Sequence, residues 1–230
     1  MKEFLGTSSF FGITLSLASY IIALAFKKRI RSSLFNPLLV SIIMTAAVVL
    51  LLNVDYKVYN ASAKYLSFLL TPATICLALP LYEQIDRLKE NAAAIFTGIF
   101  SGVLASIGSI FLLSKLFGFS REEFVTFLPK SITTAIGLSV SEEFGGFVSI
   151  TVAAIILTGV LGNIICESVL KLFKIENSVA RGAAIGTASH AIGTSRAMQI
   201  GEIEGAISSL SIVTAGIMTV LLAGIFAGLY

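Results

Sequence analysis

The chain has 230 residues, of which 56% are hydrophobic and only 13% charged, and its mean hydropathy is +0.95. Soluble domains carry about 25% charged residues, so a water-soluble globular domain is excluded and an all-α polytopic membrane protein is expected. The net charge of +3 is too small for a nucleic-acid binder and fits basic loops on the cytoplasmic side of a membrane.

A bilayer-spanning helix needs about 20 mostly apolar residues, and on that ruler the sequence divides into about eight membrane segments. The first, 8–26, ends in Lys27-Lys28-Arg29 rather than in a small-residue cleavage site, so it reads as a membrane helix and not as a cleaved signal peptide. The basic loop 27–31, KKRIR, is cytoplasmic by the positive-inside rule, which makes the N-terminus extracellular and the protein a multi-pass resident of the cell membrane. The second segment, 37–53, opens on Pro37, which suits the first turn of a helix. The third, 61–88, is interrupted by Thr71-Pro72-Ala73-Thr74 and by Pro80, so it is broken or re-entrant. The fourth, 91–114, is uncharged and carries Gly98-x-x-x-Gly102, a spacing that lets helix backbones approach closely.

A polar link, 118–123, separates an N-terminal repeat, 1–117, from a C-terminal repeat, 124–230. The fifth segment, 124–140, contains PKSITTAIG at 129–137, where Pro129 favours an extended residue before it and a helix start after it. The sixth, 144–170, is apolar with Asn163 and Glu167 near its end; the eighth, 206–229, is uncharged. Cys76 and Cys166 sit in apolar segments without metal or disulfide spacing and read as small buried hydrophobes. Aligning Lys64 with Arg181 gives an offset of 181 − 64 = 117, which lays segments one to four on five to eight. The break at 71–74 then falls on 188–191. Such paired interruptions point to a transporter site, and the repeats are inverted if segments three and seven are re-entrant.

The seventh segment, within 179–205, reads VARGAAIGTASHAIGTSRAMQIGEIEG and is the candidate site. It turns small, polar and glycine-rich at membrane depth, where irregular backbone survives only against protein or a water-filled cavity. It holds the chain's single histidine, His190. An ionisable group at that depth marks function by default, although a lone histidine can also be a packing residue; near neutral pH it could bind an anion or relay a proton. Arg196 is either a snorkelling side chain or a bidentate carboxylate clamp. A bend at Gly193-Thr194 would bring it to one cavity with His190. Thr187, Ser189 and Thr194, with Thr133 and Thr134, would bind hydroxyl or carbonyl oxygen. Lys130 and Ser131 form the counterpart cluster, at a helix N-terminus suited to an anion or at the membrane surface. Asn163, Gly186 and Gly193 are supporting residues, and Glu204 is a candidate partner for Arg196. No metal spacing or cofactor motif is present in the sequence. Ser189 and His190 are adjacent and point about 100° apart on a helix, a poor catalytic dyad, so an enzyme is not expected.

The run from Ala180 to Ala197, ARGAAIGTASHAIGTSRA, resembles the LrgB/CidB family, as do PKSITTAI at 129–136, Glu142-x-x-Gly145-Gly146 and LTGVLG at 157–162. The similarity covers most of the chain; one common family pattern has proline where this chain has Ala135. The resemblance implies a holin- or antiholin-like membrane protein affecting murein hydrolase activity and autolysis, with a small LrgA/CidA-type membrane partner. The plastidic glycolate/glycerate translocator resembles the same family, which implies transport of small carboxylates. The primary expectation is therefore a transporter of monocarboxylates such as glycolate, glycerate, lactate or pyruvate, with a proton or sodium ion as candidate coupling ion. The alternative is an oligomeric holin-like pore, a homo-oligomer in the bilayer, or a membrane regulator of murein hydrolase export.

Overall fold

The computed structural model describes residues 10–29, 36–76 and 78–230. Every regular element among them is a helix, and the chain packs as two compact units, one ending at Cys76 and one following it. Ser8 and Ile30-Arg31, and with them the start of the first expected segment, the expected extracellular N-terminus and the end of the basic loop, lie outside the described residues.

In the first unit, α1 (Phe11–Arg29) ends in Lys27, Lys28 and Arg29, cations that complement the negative end of the helix dipole. Asn36 caps α2 (Pro37–Leu51) by accepting from the Leu38 and Leu39 amides at 2.8 and 3.2 Å, and Pro37 occupies a first-turn position that needs no N–H. Asp55 caps α3 (Tyr56–Ser67). The α1–α3 contact is close because Gly12 has no side chain; its amide donates to Ser62 Oγ at 2.7 Å, and Ser16 Oγ meets Tyr59 Oη at 2.8 Å. The unit ends with α4 (Leu70–Cys76).

The second unit contains α5 (Ala78–Glu83), α6 (Ile85–Glu90), α7 (Ala92–Phe117), α8 (Arg121–Phe127), α9 (Thr134–Glu143), α10 (Val148–Leu172), α11 (Ser178–Ile200) and α12 (Glu202–Leu229). Gly118, at φ +67°, stops α7, and a Ser120–Glu123 capping box starts α8. The core of this unit lies along α7 and α12, where Ile95, Ile99, Val103 and Ile107 pack with Ala183, Ile207 and Ala215. At the far ends of these helices Phe124 stacks on Tyr230, with ring centroids 4.4 Å apart.

Among the described residues four helices, α1, α7, α10 and α12, are long and apolar enough to cross a membrane. The chain is thus an all-helical multi-pass membrane protein, but not a set of eight straight crossings. The second expected segment forms the 15-residue α2, about 22 Å long against a hydrocarbon core of about 30 Å. The third is divided among α3 to α6, and its breaks do not fall at 71–74, which lie inside α4. Pro72 is the third residue of α4, a first-turn position where the missing N–H breaks no bond. Pro72 thus begins a helix rather than interrupting one, while Leu77, three residues before Pro80, lies outside the described residues. Cys166 is buried as expected; Cys76 is exposed.

The fifth and seventh segments fold back on themselves. Thr151 Oγ1 donates to the Thr126 carbonyl at 2.9 Å and lies 2.6 Å from Ser141 Oγ, and Phe147 N donates to Thr126 Oγ1 at 2.7 Å. The end of α8 and the end of α9 are therefore neighbours, and residues 128–133 form the tip of a hairpin. In α11 the reversal is at His190, whose φ of +42° and ψ of −141° lie outside the helical region. A side chain on Gly193 would meet Ser189 Cβ at 2.5 Å and the Ile185 carbonyl at 3.2 Å. In a straight helix residues 185 and 193 would stand about 12 Å apart along the axis. Residues 178–189 and 191–200 are thus two limbs side by side.

Small residues let the second hairpin sit against α12. A Cβ on Gly186 would collide with the Ser208 carbonyl, and one on Gly182 would lie 2.8 Å from Ile207 Cβ. Gly186→Leu should therefore destabilise the fold by about 1–3 kcal/mol through overpacking. Gly108, with nothing within 4 Å of an added Cβ, is the control, and its replacement by alanine should be neutral or stabilising. Thermal unfolding of the detergent-purified variants measures both, and equal midpoints would remove this account of the α11–α12 contact.

Candidate functional site

The two hairpins of the second unit approach each other from opposite ends. The α8–α9 hairpin has its base beside the end of α12, where Arg121 Nε donates to the Ala227 carbonyl at 3.4 Å. Its tip reaches the middle of α7, where Ser131 Oγ and Ser106 Oγ are 3.0 Å apart. The α11 hairpin has its base beside the start of α12, where Gly205 meets Met198. Its tip reaches the middle of α10, where His190 Nε2 donates to the Ile155 carbonyl at 3.1 Å and the imidazole fills the space left by Gly159. Between the tips, α7 and α10 bound a cavity of about 1170 Å³.

The first limb of α11 forms one wall of this cavity from its base to Ser189. The lining is mainly small and apolar; its polar residues include Lys130, Ser131 and Ser106 on one side and Thr187 and Ser189 on the other, with Asn91 and Asn177 at the starts of α7 and α11. Lys130 is the one charged residue among the described lining residues. Its ammonium donates to Ser131 Oγ at 3.0 Å and to Ser106 Oγ at 3.4 Å, and no carboxylate lies within 4.0 Å of it among the described residues. Thr187 is 7% exposed and its Oγ1 has no hydrogen-bond partner among the described residues. An unsatisfied buried hydroxyl of this kind costs about 1–3 kcal/mol.

The other sequence-selected residues build the hairpins and do not line this cavity. His190 is 3% exposed at the turn. Thr194 Oγ1 donates to the His190 carbonyl at 2.9 Å and meets Ser208 Oγ at 2.7 Å. Asn163 Nδ2 donates to the Ile192 carbonyl at 2.8 Å, supplying a partner where the helix is broken. Thr133 is the N-cap of α9 and Thr134 its first residue, at the same tip as Lys130. Gly186 and Gly193 are the close-approach positions described above.

Arg196 lies at the base of the hairpin, not beside His190, because the chain reverses at His190 rather than at Gly193-Thr194. Its guanidinium pairs with Glu167 at 2.5 Å and donates to Gln199 Oε1 at 2.7 Å. The expected Arg196–Glu204 pair is not formed: Glu204, 5% exposed, faces Arg181 at 4.0 Å. Arg181 and Arg196 border one small pocket of about 240 Å³ with Glu167 and Lys171, although 15 residues of straight helix would separate them by about 22 Å.

Three participants escaped the sequence reading. Ser106 lies on the stripe Gly98, Gly102, Ser106, Ser109 of α7, whose helical spacing is the signal that marks one small polar face. Ser208 is a single hydroxyl in an apolar helix and gives no periodic signal. Glu167 was visible as an ionisable residue near the end of an apolar segment, but its partner depends on the fold-back.

The family model described as the LrgB-like family matches residues 16–229. The chain is 37% identical to the holin-like protein CidB of Staphylococcus epidermidis over 211 residues, 91% of this chain and 92% of that protein. It is 36% identical to the holin-like protein CidB of Staphylococcus aureus over the same length and shares of each chain. It is also 36% identical to the antiholin-like protein LrgB of Bacillus cereus over 218 residues, 94% of this chain and 95% of that protein. No solved structure matches. With nearly its whole length matched by the family and by full-length relatives, the chain belongs to the LrgB-like family.

Proposed function

We propose that the second unit carries a small monocarboxylate of the glycolate, glycerate, lactate or pyruvate class across the cell membrane, with the cavity between the hairpin tips as its site. The single observation that supports this most is Lys130, an ammonium bordering the cavity with two hydroxyls and no carboxylate beside it. A charge removed from water needs an opposite charge and hydrogen bonds, and an anionic ligand supplies both. Thr187 Oγ1 and Ser189 then hold a hydroxyl or carbonyl oxygen of the same ligand. His190, Arg196, Thr194, Asn163, Glu204 and the two glycines shape the hairpin that presents them.

In this reading α8–α9 and α11 are re-entrant hairpins entering from opposite membrane faces, the arrangement that alternating access uses around a midplane site. The N-terminus is extracellular, and an LrgA/CidA-type protein is the membrane partner. No enzymatic step enters it. A second reading is favoured by the relatives, which are named holin-like and antiholin-like: an oligomeric pore or regulator of murein hydrolase export. Uptake of radiolabelled glycolate by liposomes holding the purified chain, with and without the partner, separates the two. Saturable uptake supports transport. Absence of uptake, together with altered autolysis in cells lacking the protein, supports the regulator.

Within the transport reading, Lys130→Gln should weaken glycolate binding by about 2–5 kcal/mol, the usual effect of truncating one partner of a desolvated charge pair. Thr187→Val should cost about 1 kcal/mol, one neutral hydrogen bond. Isothermal titration in detergent measures both, and wild-type affinity in the two variants would place the ligand elsewhere.

Arg196 and Glu167 are each about one-third exposed, so their pair should contribute no more than about 1 kcal/mol to stability. A double-mutant cycle of Arg196→Gln and Glu167→Gln should show that coupling in thermal unfolding, with glycolate affinity changed by less than about 1 kcal/mol. A loss of affinity as large as that of Lys130→Gln would restore Arg196 to the binding site.

A further inference from the structure

We infer that Lys130 carries the coupled proton, binding it together with the carboxylate and releasing it when the carboxylate leaves, so that transport is electroneutral. The inference rests on the monocarboxylate reading above and adds the source of its driving force. Among the described residues the Lys130 nitrogen is held by Ser106 and Ser131 alone. Both hydroxyls can accept from an ammonium or serve a neutral amine equally well, so the site has hydrogen bonds for either form and a counter-charge for neither.

Among the described residues no other group facing Lys130 can take this role. From α7 it meets Ser106; from α10 and α11 the cavity is lined by Thr158, Thr187 and Ser189, none of which titrates. On its own hairpin Glu122, Glu123, Glu142 and Glu143 lie at the base ends of α8 and α9, away from the tip. His190, on the opposing tip, is turned to the Ile155 carbonyl and does not line the cavity. The balance is simple: the neutral amine, one proton from water and one carboxylate become an ammonium–carboxylate pair, with no net charge moved. The reverse step on the other side returns the amine, the proton and the carboxylate. An arginine at this position stays charged under all working conditions, so it can hold the anion but cannot release the proton.

The experiment uses the full chain in liposomes with radiolabelled glycolate, an internal pH dye and the membrane potential clamped by valinomycin and potassium. The wild type should accumulate glycolate when a proton gradient is imposed at zero potential, take up one proton per glycolate, and accumulate none in response to potential alone. Lys130→Arg should exchange glycolate at a reduced rate without proton movement and lose gradient-driven accumulation. His190→Gln should keep the wild-type proton-to-glycolate ratio. Accumulation driven by potential in the wild type, proton-driven accumulation in Lys130→Arg, or loss of the ratio in His190→Gln would each overturn the assignment while leaving the cavity as the carboxylate site. Absence of any glycolate exchange in the wild type would instead remove the monocarboxylate reading itself, and this inference with it.

Discussion

The second unit depends on one constraint: a helix that reverses within an apolar protein must find new partners for the backbone groups the reversal exposes. At His190 the partners are side chains. Thr194 Oγ1 covers the His190 carbonyl, Asn163 covers that of Ile192, and the imidazole itself reaches across to Ile155. The turn residue sits at φ +42° without being glycine, a conformation that costs on the order of 1–3 kcal/mol and persists only where the surroundings fix it. Here the surroundings are α10 on one side and α12 on the other. The small residues of the limbs then follow from geometry: two limbs and two long helices share a space that leaves no room for a Cβ at Gly162, Gly186 or Gly193.

The same fold-back sorts the charges. Arg181 and Arg196 lie on different limbs, and the reversal brings both to the hairpin base, where Glu204 and Glu167 meet them. That leaves Lys130, at the opposing tip, as a cation beside a cavity with no acidic partner within reach among the described residues. The paired cations thus lie at the hairpin base and Lys130 at the opposing tip.

The membrane class and the long helices α7, α10 and α12 were legible in the sequence because uninterrupted apolar length is a direct signal. So was the unusual character of 179–205, from its glycines, hydroxyls and lone histidine. The reversal itself was not: a helical pattern continues on both sides of His190, and the signal lies in a backbone angle that no residue preference announces. Reading Gly193-Thr194 as the bend followed residue permissiveness, whereas that glycine serves as the contact between limbs. Pro72 misled in the third segment for a related reason, since proline at a first turn and proline in a helix interior look alike without the helix boundaries. The pairing of Arg196 with Glu167 rather than Glu204 followed from the reversal and could not precede it.

The sign of the cavity also follows from how the α8–α9 tip is closed. Carbonyl groups at the end of α8 are taken up by the turn's own amides: Leu128 N donates to the Phe124 carbonyl at 3.1 Å, and Lys130 N to that of Phe127 at 3.1 Å. The negative end of that helix is thereby covered. The start of α9 is treated differently, for its N-cap, Thr133, makes no side-chain cap, so the partial positive charge of that helix end is not offset by its own threonine. This helix end and the Lys130 ammonium belong to one short tip, and both attract negative charge. Thr187 also lines the cavity, from the opposing hairpin. A cation placed between the tips would meet a like charge and a like dipole, while a carboxylate would meet opposite charge. The transport reading therefore draws on the tip as a whole, on its ammonium and on its uncapped helix start together, rather than on one residue.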